Sequence, residues 1–222
     1  MNNLTKSLKQ IRNYTLANDE LRKSHHFLFN APFKNSQGKA DIIMMGLNPG
    51  ETSDDWFYEG ETPTENSNEF DFHHYSKNSP SSKRWESIIN YFLGDISENI
   101  FLSEFFFWSS PQVGEKKGKE KFSERFGYKF IDCPHLDYCR ERNTELIRFH
   151  KPKLILATGV SYAELFIKLY NMSVINILKG KRMRIIIHAD FMNTPFLFIP
   201  HPSSAHISKS EKKEILNYLL NL

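Results

Sequence analysis

The stretch IIMMGLNPGET (residues 42–52) joins a buried-strand pattern to a sharply bent turn. Four apolar residues run into a turn built from glycine, asparagine and proline. Two-residue hairpins favour Asn-Gly rather than Asn-Pro-Gly, and a phosphate-binding loop requires more glycines and a lysine. The pattern therefore predicts a strand that ends by holding the side chain of Asn48 at the rim of a site.

Further apolar runs along the chain have the same strand-like character. With the first one they cover residues 40–46, 99–108, 152–159 and 195–200, and a shorter strand is predicted at 183–190. Helical patterns lie between and around them, at residues 3–23 within an N-terminal helical segment (1–30), and at 82–94, 137–153, 161–171 and 208–222. This alternation predicts one α/β domain over residues 1–222. We expect a three-layer α/β/α sandwich around a central, mainly parallel sheet of four to five strands.

Composition describes the kind of protein to expect. The chain has 222 residues, a net charge of +3 and 40% hydrophobic residues, which is typical of a soluble globular protein. No apolar run approaches the roughly 18 residues that a membrane helix needs, and the N-terminus has no signal-peptide pattern. Because a chain with only two cysteines does not suggest a disulfide framework, we expect a reducing, cytoplasmic location.

The segment CPHLDYC contains the two cysteines, Cys133 and Cys139, with His135 between them. These three side chains are possible metal ligands, but no second pair of ligands follows at a convincing spacing. Two ordinary thiols are the favoured interpretation, and no metal or cofactor is expected.

Several polar segments are candidates for loops that bind a ligand. Residues 51–82 and 111–132 are long and lack periodicity, which is unusual in a compact domain without a functional reason. Aromatic residues occur in the polar segments 54–60 and 68–76, where stacking on a flat ligand is one explanation. The local basic clusters at 115–121 and 179–184 permit nucleic-acid binding, although a solvated loop is the simpler interpretation of each.

The segment FIPHPSSAHIS (residues 198–208) follows the last predicted strand. Pro202 restricts its predecessor, so His201 is expected to be extended and oriented. Ser203 and Ser204 provide hydroxyl and backbone N–H groups suited to a phosphate. Taken alone, the segment is also compatible with a polar loop that contains a capping serine.

The two strand-end segments together, GLNPG (46–50) and HPSSAHIS (201–208), resemble the signature motifs of the uracil-DNA glycosylase superfamily. SPSSKRW (79–85) and KPKLILATG (151–159) are similar to intervening segments of that family, and the order along the chain agrees over residues 40–210. The resemblance implies a monofunctional DNA glycosylase that hydrolyses the N-glycosidic bond of a flipped base and leaves an abasic site. It also implies DNA as the partner, no cofactor, a monomer, and a role in DNA repair or in defence against modified phage DNA.

The resemblance assigns roles to individual residues. Asn48 matches the residue that positions the attacking water, and His201 matches the donor to the oxygen of the leaving base. The implied base-binding residues are Gly46, Leu47, Glu104 and an aromatic ring, Tyr75 first, with Phe72 and Trp56 as alternatives. Ser203 and Ser204 are implied phosphate contacts, and His206 or Ile207 would replace the apolar wedge of the family. Glu51 is a nearby carboxylate for which a solvated position is favoured.

Glu104 departs from the family pattern, which often has asparagine late in the second strand. A charge inside an apolar run is costly unless it is paired, and a salt bridge is the simpler explanation. An ionised carboxylate only accepts hydrogen bonds, and cytosine presents an N4 amino donor where uracil presents O4. We therefore hypothesise a cytosine-type or modified base as the target.

Two other functions remain open at this point. Glu104 and the weak wedge are compatible with a catalytically inactive DNA- or protein-binding module that has the same fold. A hydrolase of small nucleosides or nucleotides is the third possibility, and its binding would depend little on salt.

Overall fold

The computed structural model describes residues 3–24, 32–33, 39–48, 90, 92–93, 99–110, 113, 120–201 and 207–222. Within these ranges the chain forms helices and strands of an α/β fold. The elements are α1 (Asn3–Ala17), β1 (Pro32–Phe33), β2 (Ile42–Gly46), β3 (Ile100–Glu104), α2 (Phe122–Phe126), α3 (His135–His150), β4 (Leu154–Thr158), α4 (Ala163–Tyr170), β5 (Ser173–Lys179), β6 (Arg184–Phe191), β7 (Thr194–Ile199) and α5 (Lys209–Leu220). Single 3₁₀ turns lie at Leu21–Lys23, Phe130–Asp132 and Val160–Tyr162.

The strands form one mixed sheet in the order β1-β3-β2-β4-β7-β6-β5. β4 pairs in parallel with β2 on one side and with β7 on the other. β6 is antiparallel to both β7 and β5. All residues of β2 and β4 are buried, as expected for parallel strands covered on both faces. The α/β class and every strand predicted from the sequence are confirmed.

The predicted number of four to five strands is wrong, because the sheet has seven. β5 was not predicted, although its sequence SVINILK is rich in apolar residues. Six of its seven residues are exposed, so this apolar run does not mark a buried strand. Main-chain pairing with β6 holds it at the edge of the sheet. β1 has only two residues, too few for any periodicity to show.

The chain divides into two compact units. The helical unit comprises Met1–Asn30, Leu47–Phe70 and Ser103–Thr144, and the sheet unit comprises Ala31–Gly46, Asp71–Leu102 and Glu145–Leu222. In the part of the chain that the structure describes, no helix has the length and apolar character needed to cross a membrane.

In the sheet unit, α4 and α5 lie on opposite faces of the β6–β7 pair. The ring of Tyr170 on α4 lies 6.4 Å from that of Phe196 on β7. On the other face, His188 of β6 hydrogen-bonds through Nδ1 to the hydroxyl of Tyr218 on α5, at 2.9 Å. His188 pairs with Leu197, the neighbour of Phe196, and successive strand residues point to opposite faces.

The helical unit is built around aromatic side chains. Phe106 packs edge-to-face against Phe122 and Phe126 of α2, with ring centroids 5.3 and 5.5 Å apart. α2 and the turn Phe130–Asp132 fall inside residues 111–132, so the predicted long irregular loop is wrong for the second half of that range. The many charged residues of this range mask the apolar pattern of the buried phenylalanines, which hold the segment against the core.

The junction between α3 and the sheet gives a pH-dependent contribution to stability. His150 is buried and its Nδ1 accepts a hydrogen bond from the backbone N–H of Ala40 at 3.0 Å. Burial, with a smaller contribution from Lys39, lowers the pKa of His150 from 6.5 to about 4. Neutral His150 is therefore the form that the fold accommodates.

We expect the free energy of unfolding to fall as the pH drops from about 6.5 to about 4, because the unfolded chain binds the proton first. The loss from His150 is at most about 3 kcal/mol, from the size of the pKa shift. His150→Gln keeps an acceptor for Ala40 without a titrating group. Urea unfolding at several pH values should show a flatter dependence for this variant, and equal slopes for both proteins would contradict the assignment.

Candidate functional site

The carboxyl ends of β2, β4 and β7 lie at one edge of the sheet unit, because the three strands are parallel. Side-chain and main-chain hydrogen bonds tie these ends together. Thr158 Oγ1 donates to the carbonyl of Met45 at 3.5 Å, and the N–H of Gly159 donates to the carbonyl of Ile199 at 2.8 Å. Gly159 has a φ of +115°, a conformation that glycine adopts without steric cost. The edge is therefore a fixed platform from which the following loops begin.

Both predicted catalytic residues follow strands of this platform. His201 lies two residues beyond the end of β7 and is half-buried in the sheet unit. Asn48 lies two residues beyond the end of β2 and belongs to the helical unit. Their positions in the sequence match the ends of two strands that flank the same central strand.

The side chain of Asn48 is held by a hydrogen bond that sequence analysis did not predict. Its Nδ2 donates to Oγ of Ser110 at 2.9 Å, and Ser110 is only 1% exposed. The backbone next to it is also fixed, because the N–H of Phe106 donates to the carbonyl of Leu47 at 3.0 Å. The amide therefore has a defined orientation at a half-buried position.

The segment that carries Ser110 is in turn anchored to the N-terminal part of the chain. Trp108 Nε1 donates to Oγ1 of Thr15 on α1 at 2.8 Å. Ser24 Oγ donates to the carbonyl of Ser109 at 3.1 Å. The N-terminal helical segment thus supports Ser110, the residue that orients Asn48. In the sequence, Ser110 is marked only as one of two serines directly after an apolar run.

Glu104 is the most unusual side chain of the helical unit. It ends β3, is 6% exposed, and its Oε2 has no hydrogen-bond partner among the described residues. Burial raises the pKa of this carboxyl well above its usual value. Burial therefore favours the neutral acid, whereas the hypothesis from the sequence assumed an ionised carboxylate. A neutral carboxyl offers one donor and one acceptor.

Asn143 on α3 fixes the backbone around Glu104. Its Nδ2 donates to the carbonyl of Glu104 at 2.9 Å, and its Oδ1 accepts from Ser103 Oγ at 2.6 Å. Asn143 is 1% exposed and occupies the buried stripe of α3 between Cys139 and Ile147. A polar residue at a core position of an amphipathic helix was the signal that sequence analysis missed.

Of the other predicted base-binding and wedge residues, the structure describes three. Gly46 is buried at the end of β2, and Leu47 is half-buried. Ile207 is half-buried and lines a pocket beside α5. The remaining predicted residues lie outside the described part of the chain: Glu51, Trp56, Phe72, Tyr75, Ser203, Ser204 and His206.

The two cysteines are buried in the helical unit. Burial raises the pKa of Cys133 to about 11 and also raises the pKa of Cys139, which favours unreactive thiols. His135 is engaged elsewhere, through Nε2 to Glu20 at 2.9 Å and through Nδ1 to the hydroxyl of Tyr14 at 3.0 Å. Among the described residues, no group of three or more His, Cys, Asp or Glu side chains is placed to hold a metal ion.

Comparisons of the whole chain with known proteins give no assignment: no protein-family model matches it, and no curated protein matches it in sequence.

Glu104→Gln tests whether the buried carboxyl is maintained at a cost to stability. A raised pKa in the folded state means that the wild-type protein loses stability as the pH rises above 4.5, by about 1.4 kcal/mol per pH unit until the folded pKa is reached. Glutamine does not ionise, so the free energy of unfolding of the variant should rise relative to that of the wild-type protein as the pH increases. Denaturant unfolding between pH 5 and pH 9 measures this difference. The exposed Glu214→Gln is the matched control, and identical pH profiles for the two substitutions would refute the assignment.

Proposed function

We propose that the chain is a monofunctional DNA glycosylase that excises a flipped base and leaves an abasic site. The observation that carries the proposal is topological. β2 and β7, the strands that precede the two glycosylase-like motifs, flank β4 and end at the same edge of the sheet. Ligands of parallel α/β sheets bind at this carboxyl edge. Two motifs far apart in sequence thus begin from adjacent strand ends.

Hydrolysis of the N-glycosidic bond needs two kinds of group, a hydrogen-bond donor to the leaving base and a group that positions the attacking water. In N-glycosidic hydrolysis the leaving base gains negative charge while the sugar becomes cation-like, so a donor to the base and an oriented water accelerate the step. In this proposal His201 donates to the base oxygen and Asn48 positions the water. An amide is not a strong general base, so Asn48 orients the water rather than deprotonating it. Ser110 is the positioning residue, acting through the amide of Asn48.

Glu104 is proposed to contact the edge of the extruded base. The neutral carboxyl has the donor and acceptor pattern of an amide, so it matches the N3–H and O4 of uracil as well as the N3 and N4 amino group of cytosine. The ionised form accepts only, which suits the N4 amino group of a cytosine-type base. Substrate classes in this proposal are therefore uracil-like and modified cytosine-type bases, with the second favoured as the pH rises.

The remaining parts of the proposal concern organisation. The chain is proposed to act as a monomer and a single domain with a three-layer α/β/α arrangement, in the cytoplasm, with DNA as its partner and without a cofactor. Its role would be repair or defence against modified foreign DNA.

The excision assay tests the proposal directly. Duplex and single-stranded oligonucleotides containing uracil, cytosine or modified cytosines are incubated with the protein, and abasic sites are cleaved with alkali and counted. We expect cleavage at one base class, and a loss of about 100-fold or more in Asn48→Ala and His201→Ala, because each removes a group that acts in the transition state.

Asn217→Ala, at an exposed position of α5, is the control and should retain full activity. If the wild-type protein produces no abasic sites with any base, the glycosylase proposal fails. Retained, salt-sensitive DNA binding would then point to the inactive binding module, and salt-insensitive hydrolysis of free nucleosides to the small-molecule hydrolase.

Ser110→Ala tests the positioning role. The variant removes one hydrogen-bond acceptor of the Asn48 amide, at 2.9 Å, and misplacement of a catalytic group costs about tenfold or more in rate. The effect should fall on kcat rather than KM, and should vanish in the Asn48→Ala background. Multiplicative effects of the two substitutions would show that Ser110 does not act through Asn48.

A further inference from the structure

Two segments of the chain that lie far apart in sequence each contain more basic than acidic residues. Residues 179–184 and 207–214 together contain seven Lys or Arg and two Glu. The whole chain has 29 Lys and Arg against 26 Asp and Glu, so acidic residues outnumber basic ones in the remainder. Such asymmetry indicates a polyanion-binding surface only if the fold brings the two segments together.

The fold does bring them together, within the sheet unit. Residues 180–183 form the tight turn of the β5–β6 hairpin, closed by a hydrogen bond from the N–H of Gly180 to the carbonyl of Met183 at 2.8 Å. The carboxylate of Glu211 on α5 accepts from the N–H of Lys181 at 3.0 Å. A side chain at position 180 would collide with this carboxylate, so glycine permits the close approach.

Glu211 is an ionised carboxylate at this junction, and its two oxygens accept hydrogen bonds from the two segments. Its Oε2 accepts from the N–H of Ser208 at 2.8 Å as part of the N-terminal cap of α5. Hydrogen bonds from Ser208 and from the N–H of Lys181 lower the pKa of Glu211, which keeps the carboxylate ionised and bound to these donors. The hairpin tip is therefore held rigidly against the start of α5.

The hairpin tip and the start of α5 enclose a pocket of about 370 Å³. Lys181 and Arg182, both exposed, form the cationic part of its wall. Met183, Ile185 and Ile207 supply the apolar part, and Ser208 and the carboxylate of Glu211 complete the lining. A cationic wall beside a small apolar floor suits phosphate groups joined by sugars.

The register of β6 and β7 gives the position of the tip. Ile187 pairs with Phe198 and His188 with Leu197. Continuing this register, the first residue of β6, Arg184, is level with His201. The side chain of Arg184 is paired with Glu164 at 2.7 Å, whereas Lys181 and Arg182 lie beyond the carboxyl edge of β7. The cations thus stand at the same edge as the start of the second motif.

We propose that this basic tip surface, formed by residues 179–184 and 207–214, binds the phosphodiester backbone of a nucleic acid. The inference rests on the proposed function for the identity of the polyanion and adds the surface that holds the strand. Neither segment contributes any of the large apolar side chains that are exposed among the described residues, and a bilayer-inserting surface would require them. Backbone contacts of this kind give affinity without sequence preference.

The test measures binding without chemistry. A fluorescein-labelled unmodified 20-base-pair duplex is titrated with the protein by fluorescence anisotropy between 50 and 200 mM salt. For Lys181→Ala/Arg182→Ala we expect binding at 0.1 M salt to weaken by about tenfold or more, and the slope of log affinity against log salt to fall by about two, since each lost phosphate contact removes about 0.9. The charge-reversed Lys181→Glu/Arg182→Glu should weaken binding further. Both variants should keep the wild-type thermal unfolding midpoint.

The matched control is Arg148→Ala/Lys151→Ala, which removes two exposed cations that precede β4, at the opposite edge of the sheet. It should retain both the affinity and the salt slope. An equal loss in the control would overturn the proposal, as would wild-type binding to phosphatidylserine vesicles without binding to the duplex. Loss of duplex binding confined to the tip variants would support the surface even if no base is excised, which separates its outcome from that of the glycosylase proposal.

Discussion

The structure depends on one constraint, the parallel pairing of β2 and β7 with the central strand β4. A parallel strand between two parallel neighbours must be covered on both faces, so β4 consists of five buried residues and tolerates no charge. Parallel pairing also brings the strand ends to one edge, where Gly159 and Thr158 tie them together. His201 and Gly46, two of the residues proposed for the site, lie at or directly after strand ends of that edge.

Polar groups buried in the helical unit serve a different purpose from the apolar sheet. Asn143 satisfies the backbone of Glu104 and the hydroxyl of Ser103, and Ser110 accepts from Asn48. A buried hydrogen bond adds only about 1 kcal/mol to stability, but an unsatisfied buried group costs more. Such bonds therefore select one arrangement of the chain rather than strengthen it. They keep the segments that follow β2 and β3 in a defined orientation, although these segments are not regular structure.

The sequence was sufficient to predict those helices and strands whose buried residues recur at a regular spacing. The runs that became β2, β3, β4, β6 and β7 were recognised, because local pattern and tertiary burial coincide there. β5 escaped since its stability comes from pairing with a neighbour, and α2 escaped since charged residues surround its phenylalanines. Ser110 and Asn143 escaped for a further reason: their hydrogen bonds join residues 62 and 39 positions apart, so no local pattern identifies the partners.

Glu104 and the basic tip surface are proposed to bind different parts of a nucleic acid, and they would do so in physically opposite ways. A buried neutral acid loses its hydration, so its hydrogen bonds are strong and selective, and a mismatched partner leaves a polar group unsatisfied. Exposed cations at the hairpin tip keep their hydration, so their contacts are weak singly, tolerant of sequence and sensitive to salt. An enzyme acting on one base in a long polymer, as proposed for this chain, would need both properties, since the strand must be held anywhere along its length while one base is selected. In that proposal Glu104 is the selective group in the dry interior, and the exposed cations of the hairpin tip are the tolerant groups in water.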